Sequence, residues 1–290
     1  MGHCISPAAE KLLDQQFAVL DHGFVRLVDY MGNDDRIVQS ARVSYGNGTK
    51  SVSEDKALID YLLRNKHTSP FEQVVVVLHC KMPIFVARQW VRHRTARLNE
   101  VSGRYSELKS EAYLPLHDRI QNQSKTNKQG SEKSGLSQDY QDIVREMMHD
   151  EHIDTFKNYD KYLHEFDISR EIARINLPLS TYTEWYWQMD LNNLFHFLSL
   201  RLDAHAQWEI QQYGIVIAKI VKAIVPNAYE SFINHKVRSV TFSGTEMDLL
   251  RKVFDINDIS NIELGSSKKI EELKAKFVNE KLDICRNIED

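Results

Sequence analysis

Cysteine is scarce in this chain of 290 residues. Cys4, Cys80 and Cys285 lie far apart and form no CxxC pair, so neither a disulfide framework nor a zinc knuckle is expected. Cys80 follows an apolar run and is predicted to be a buried small hydrophobe rather than a nucleophile. The cysteine content therefore predicts a reducing compartment, the cytoplasm, and chemistry that does not depend on a thiol.

Long apolar runs and an excess of positive charge are also absent. Lys219 and Lys222 interrupt the longest apolar candidate, 215–225, which is too short to span a membrane. The N-terminal segment lacks the apolar core of a signal peptide. The net charge of -4 argues against a general nucleic-acid binder, which is usually basic over a whole face. We therefore expect a globular protein with no membrane and no nucleic-acid partner.

The hydrophobic pattern alternates between strand and helix periods along the chain. Strands are predicted over 23–30, 74–79 and 181–189. Helices are predicted over 34–45, from Ser53, from Pro83, over 140–166, over 190–207 and from Trp208 to about Ile224, before Pro226. In the helix that starts at Pro83, the residues expected to face the core are Ile84, Ala87 and Val91.

Composition divides the chain into three predicted parts. Residues 1–16 are a lead-in, 17–235 form one domain, and 236–290 are a C-terminal extension of unknown role. Within the domain, 118–139 contain almost no apolar residues and many Gln, Asn, Ser and Lys. Such a stretch cannot bury enough surface to order itself, so we predict a mobile insertion there.

Positive charge is concentrated at 92–105, which reads RHRTARLNEVSGRY. The four arginines and the single carboxylate of this stretch are Arg92, Arg94, Arg97, Arg104 and Glu100. Guanidinium groups bind phosphate or carboxylate oxygens in a bidentate manner and stay protonated at any working pH. Composition alone leaves two interpretations open: a solvated basic loop paired with Glu100, or a pocket for a small anionic ligand.

A second segment with this chemistry is 190–207, DLNNLFHFLSLRLDAHAQ. Its helical pattern places on one face, every fourth residue, Asn193, Phe197, Arg201 and His205. Asn192 and His196 are also four residues apart, on a neighbouring stripe. Two segments about a hundred residues apart, each presenting arginine and histidine, predict a pocket for a phosphorylated, planar ligand.

These segments resemble the flavin-dependent thymidylate synthases. The run RHR, followed after seven residues by SGRY, is similar to the signature of that family. The resemblance extends to HTSPFEQ at 67–73, PIFVARQWVRHR at 83–94, REIARINLPL at 170–179 and FLSLRLDAHAQWEIQQY at 197–213. It covers roughly residues 18–235 in unbroken order. It implies an α/β (α+β) fold with a central sheet flanked by helices, and a homotetramer whose active sites are shared between subunits.

The activity implied by the resemblance is the methylation of dUMP to dTMP, with 5,10-methylenetetrahydrofolate as carbon donor, FAD as cofactor, NADPH as reductant and no metal. Arg201 matches the arginine that ionises N3 of dUMP and is the expected catalytic residue. The dUMP contacts implied are Gln89, Arg92, Glu100, Ser102, Gly103, Arg104, Arg174 and Arg201. The FAD contacts implied are His67, Ser69, Arg92, His93, Arg94, Glu100, Asn192, His196 and His205.

Some positions depart from this family pattern or admit another interpretation. Arg97 stands where many members have serine, and a carboxylate at Asp190 would repel the flavin diphosphate. His205 could instead cap its helix or pair with Asp203, and His196 could be a packed core histidine. Ser102 has no histidine at a spacing suited to a nucleophile's base, so it is expected to bind ligand.

Two other classes of protein are the alternatives. A metal-dependent nucleotide phosphohydrolase would use the adjacent His149 and Asp150, with His67 as a further ligand. An RNA-binding module would use residues 92–104 to bind RNA phosphates. The negative net charge and the lack of interleaved aromatic residues disfavour this alternative.

Overall fold

The computed structural model describes residues 3–43, 52–125, 129–132 and 135–253. The chain divides into two compact units, Met1–Arg238 and Ser239–Asp290. The described strands all belong to the first unit: β1 (Gln16–Val19), β2 (Gly23–Met31), β3 (Val75–Pro83), β4 (Arg97–Glu100) and β5 (Tyr182–Asp190). They form one antiparallel sheet in the order β1-β2-β3-β5-β4.

The three predicted strands are confirmed as β2, β3 and β5. The centre of the sheet is the long pairing of β3 with β5, from Val75 opposite Asp190 to Pro83 opposite Tyr182. The sequence analysis missed β1 and β4, which are four residues long. β4 is an edge strand with every residue exposed, so it lacks the alternation of apolar and polar residues that reveals a half-buried strand.

Helices account for most of the remaining first unit. They are α1 (Pro7–Glu10), α2 (Asp34–Arg42), α3 (Val52–Arg64), α4 (Ile84–Trp90), α5 (Gln138–His164), α6 (Arg170–Ala173), α7 (Leu191–Arg201), α8 (Trp208–Ile224) and α9 (Pro226–Phe232). Side-chain caps fix several starts: Asn33 accepts from the Asp35 N–H, and Ser137 accepts from the Tyr140 N–H. The predicted helix over 34–45 ends at Arg42, and the residues after Val43 lie outside the described part.

Helices pack against the sheet face that carries Leu78, Trp185 and Trp187. The prediction that Ile84 and Val91 face this core is wrong, because the face of α4 that turns inward is centred on Trp90. Its buried residues are Val86, Ala87 and Trp90, whereas Val91 is 41% exposed. The Trp90 ring lies 5.1–5.7 Å from four other aromatic rings, those of Trp185, Trp187, Phe197 and Tyr213.

The predicted insertion at 118–139 is described except for 126–128 and 133–134. It begins within a short 3₁₀ turn, His117–Arg119, and Gln123 and Ser131 form an isolated antiparallel bridge. Arg119 Nε donates to the buried carboxylate of Glu209 at 3.2 Å. That bond ties the first part of the segment to α8, and the mobility of the segment stays a prediction.

The described part of the second unit contains one helix, α10 (Gly244–Val253). No helix in the described ranges is long and apolar enough to cross a membrane.

Candidate active site

Arg201 is the last residue of α7, where the negative end of the helix dipole favours a cation. Its Nη2 donates to the backbone oxygen of Gln89 at 3.2 Å and to Nε2 of His93 at 3.1 Å. Its Nε is buried and has no hydrogen-bond partner among the described residues. Burial lowers the pKa of Arg201 below its usual value, but a guanidinium so basic remains protonated at neutral pH.

His93 follows α4 in a turn closed by a 3.0 Å bond from its N–H to the Trp90 oxygen. Its ring meets Phe197 edge-on at 4.9 Å and lies 5.9 Å from the ring of His196. Burial, the Arg201 charge and His196 lower the pKa of His93 to about 4. His93 is therefore neutral at pH 7, and because Nε2 accepts from Arg201, its proton resides on Nδ1.

Gln89 connects this group to the start of α8. Its backbone oxygen accepts from Arg201, and its side-chain amide donates to the Gln207 side chain. The N-terminal residues of α4 are in turn fixed by bonds from the Ile84 and Phe85 N–H groups to Thr181 and Leu179. The sequence analysis did not identify Gln207, since its role depends on a contact across 118 residues.

A second group of predicted residues surrounds β4. Glu100 accepts a hydrogen bond from the Thr183 hydroxyl. The N–H of the next residue, Val101, donates to the backbone oxygen of Glu184 at 2.8 Å. Thr183 is only 5% exposed and is a further residue missed from sequence. Thr183 could have been found from the pairing of β4 with β5, which brings it near Glu100. That pairing could not be predicted because β4 was not recognised as a strand.

The chain after β4 brings Gly103 beneath Arg174. A Cβ at Gly103 would lie 3.1 Å from Arg174 Cδ, so the absent side chain allows this close approach. The Ser102 hydroxyl accepts from the Arg104 N–H at 3.3 Å, and Arg104 Nε pairs with Glu171 at 3.2 Å. Arg104 and Glu171 are both more than half exposed, so the pair is weak and a phosphate could replace the carboxylate.

The exposed cations beside these groups are Arg92, Arg94 and Arg97. The side chains of these three arginines form no hydrogen bond or ion pair with the described residues. His67 and Ser69 are also exposed, on the turn before β3. This turn lies beside the start of α7, since the Leu191 N–H donates to Val74 at 2.8 Å.

Two predictions about the second segment need correction. The helix does not extend over 190–207 but ends at Arg201, so His205 does not share the face of Asn193, Phe197 and Arg201. Asp203 is the cause, because its carboxylate accepts from the His205 N–H and lies 2.8 Å from His205 Nδ1, a local turn that competes with helix.

The structure also gives the surroundings of the other positions for which the sequence left two interpretations. Asp190 caps α7, accepting from the Asn193 N–H at 3.0 Å and from its side-chain amide at 2.6 Å. His196 is exposed rather than packed in the core, and Asn192 is half-buried beside it on α7. His149 and Asp150 form only a 3.6 Å pair, and no three His, Cys, Asp or Glu side chains of the described ranges could hold a metal together.

One chain thus brings the predicted residues together in two groups. Arg201, His93, Gln89 and His196 form one, at the C-terminal half of α7. The other group consists of Glu100, Ser102, Gly103, Arg104 and Arg174. No described hydrogen bond or ion pair connects Arg104 with Arg201. A cavity of about 460 Å³ between α5 and Glu107–Ser110 is lined by neither arginine.

Comparison with known proteins gives a consistent result. The sequence profile of the family "Thymidylate synthase complementing protein" matches residues 26–227. A "Flavin-dependent thymidylate synthase" from Treponema denticola is 55% identical over 276 residues, covering 95% of this chain and all of the relative. One from Thermus thermophilus is 51% identical over 264 residues, covering 89% and 95%. The UMP/dUMP methylase PolB from Streptomyces cacaoi, bound with 5-Br dUMP, has a TM-score of 0.67 at 31% identity, covering 77% and 100%.

Proposed function

Because the chain belongs to the family of thymidylate synthase complementing proteins, we propose that it methylates C5 of dUMP to give dTMP. The relatives that are about half identical over nearly the whole chain are named flavin-dependent thymidylate synthases. The related methylase structures are bound with 5-Br UMP and 5-Br dUMP. The deoxynucleotide is the substrate we propose, because the name of the more similar relatives specifies thymidylate.

The observation that carries this proposal is the environment of Arg201. Its two acceptors, the Gln89 oxygen and His93 Nε2, are both neutral, so its positive charge is not compensated within the described part of the chain. Uracil C5 is a poor nucleophile, and a fixed cation beside the ring favours the ionised, electron-rich pyrimidine. Arg201 is therefore the residue that activates the substrate, and no thiol is needed.

The nucleotide phosphate requires further cations. Arg92, Arg104 and Arg174 supply guanidinium groups that fork onto phosphate oxygens. Gln89, Glu100, Ser102 and Gly103 provide shorter contacts to phosphate, sugar or base. Glu100 is held for this by the Thr183 hydroxyl, and Gly103 leaves room for Arg174 to cross the loop.

The residues assigned to FAD fit an anionic cofactor with a planar ring. Arg92 and Arg94 are exposed cations without protein partners in the described residues, suited to a diphosphate. Imidazole, hydroxyl and amide groups near the start and middle of α7 suit the flavin itself: His67, Ser69, His93, Asn192 and His196. Glu100 and His205 complete the proposed set. FAD, when bound, supplies the hydride transfer, with NADPH as reductant and 5,10-methylenetetrahydrofolate as carbon donor.

We propose that the two groups of residues belong to one site that subunits share. Within one chain Arg104 pairs with Glu171, whereas Arg201 contacts Gln89 and His93. We propose a homotetramer in which Arg104 of one subunit and Arg201 of another contact the same dUMP. Residues 17–235 would form this catalytic domain, and 236–290 an extension whose role is not assigned.

Tritium release from [5-³H]dUMP tests the proposed function. Purified protein supplied with FAD, NADPH and 5,10-methylenetetrahydrofolate should release tritium to water and form dTMP in equal amounts. Omission of NADPH or the folate should stop dTMP formation, and [5-³H]UMP should react at least about tenfold more slowly. Absence of dTMP from a flavin-loaded protein, or equal rates with UMP and dUMP, would contradict the proposal.

A further inference from the structure

Among the described residues, Arg201 lacks the negatively charged partner that a half-buried arginine usually has. Charged groups removed from water are normally paired with an opposite charge, because leaving one uncompensated is costly. Here the acceptors are a backbone oxygen and an imidazole nitrogen, and no described carboxylate forms an ion pair with Arg201. The Gln89 oxygen is a backbone atom of α4, so substitution of the side chain does not remove it. Among the described residues, His93 is therefore the one side chain that hydrogen-bonds this guanidinium and can fix its orientation.

The imidazole of His93 is itself held firmly. The turn after Trp90 sets its backbone, and the edge of Phe197 and the ring of His196 enclose it. Charged and titratable groups facing it from α7 are Arg201 and His196, while its neighbours in sequence, Arg92 and Arg94, are exposed. Burial, Arg201 and His196 oppose a positive charge on His93, so the ring presents a neutral lone pair at Nε2 to Arg201.

We infer that His93 is a positioning residue for Arg201, beyond the flavin contact implied by the family resemblance. It orients the guanidinium through a neutral acceptor, so that the full positive charge remains available to the pyrimidine. This inference rests on the proposed function, because it assigns the positive charge of Arg201 to the ionised ring of dUMP. A carboxylate in the same place would hold Arg201 equally well but would cancel that charge.

Side chains of equal length at position 93 can separate two effects: the orientation of the Arg201 guanidinium and the charge of its hydrogen-bond acceptor. The Oε1 atom of glutamine lies about as far from Cβ as Nε2 of histidine, and glutamate has the same reach with a negative charge. Asparagine is neutral but too short to reach Arg201. We expect His93→Gln to keep kcat within about fivefold of the wild type, and His93→Glu to lose about 100-fold, the size of effect seen when one charge-stabilising group is removed. His93→Asn should lose about tenfold.

A spectroscopic pH titration measures the effect of the Arg201 charge on a bound pyrimidine without requiring turnover. The ultraviolet spectrum of bound 5-fluoro-dUMP changes when N3 ionises, so the midpoint can be measured in each FAD-loaded variant. Wild type and His93→Gln should shift this midpoint to lower pH than in free ligand, whereas His93→Glu should return it towards the free value. The three proteins are compared at the same FAD occupancy, which is measured by visible absorbance and set by added FAD.

The outcomes distinguish this inference from the proposed function. If the wild type forms no dTMP, the proposed function fails. If the wild type is active but the glutamine and glutamate variants share the same kcat and the same midpoint, only the role of His93 is overturned. If His93→Glu fails to fold, the two neutral variants are compared instead. A kcat for His93→Gln at least about threefold higher than that for His93→Asn supports the inference, and equal values overturn it.

Discussion

Replacement of Arg201 by alanine is expected to reduce kcat for dTMP formation by about 10²–10³-fold, the usual loss when one preorganised charge-stabilising group is removed. The guanidinium is half-buried, its Nε has no partner in the part of the chain that the structure describes, and its Nη2 is fixed by two neutral acceptors. Its charge is therefore available where the pyrimidine ionises. Steady-state tritium release at saturating dUMP measures the loss, with folding checked by circular dichroism.

Arg97 provides the matched control for that measurement. It is exposed at the start of β4, opposite Gln188, and contacts no described charged group. Arg97→Ala removes the same charge from an exposed position, and is expected to change kcat less than about threefold. Equal losses for the two variants would show that the activating charge has been misplaced.

Replacement of Trp90 by alanine is expected to destabilise the fold by about 3–5 kcal/mol, as large-to-small substitutions of buried aromatic residues do. Trp90 is fully buried and lies within 5.7 Å of four aromatic rings from β5, α7 and α8. Its removal leaves a cavity where the sheet meets both helices. Urea unfolding followed by circular dichroism measures the change in free energy.

Trp208 is the control for this substitution. It is only partly buried at the start of α8, where Arg119 lies 5.1 Å from its ring. Trp208→Ala removes the same side chain without opening the core and should cost about 1 kcal/mol. Both variants must be compared at one protein concentration, because association of subunits adds to apparent stability. Equal costs would show that Trp90 does not anchor the core.

The long elements of the fold could be predicted because their signal is local. β2, β3 and β5 carry alternating or β-branched residues, and α5 and α8 show the helical period over many turns. The end of α7 could not be predicted from that period, which continues through His205. Asp203 stops the helix by bonding to His205, and periodicity contains no information about such a competing turn.

The site was identified by resemblance rather than by geometry. The sequence indicated arginine and histidine in two segments, but not that His93 would accept from Arg201 across 108 residues. Nor could it show that Thr183 donates to Glu100, because the pairing that brings them together involves the unpredicted strand β4. Non-local contacts of this kind depend on strand register and helix packing, which a pattern of residue types does not specify.

The central claim is that guanidinium groups from two distant segments, supplied by different subunits, meet at one nucleotide. Refolding an equal mixture of Arg104→Ala and Arg201→Ala chains tests it most directly. If each site takes Arg104 from one subunit and Arg201 from another, random assembly leaves about a quarter of the sites intact, half times half. The account predicts recovery of about that fraction of wild-type activity from two nearly inactive variants. A mixture no more active than its components would contradict it.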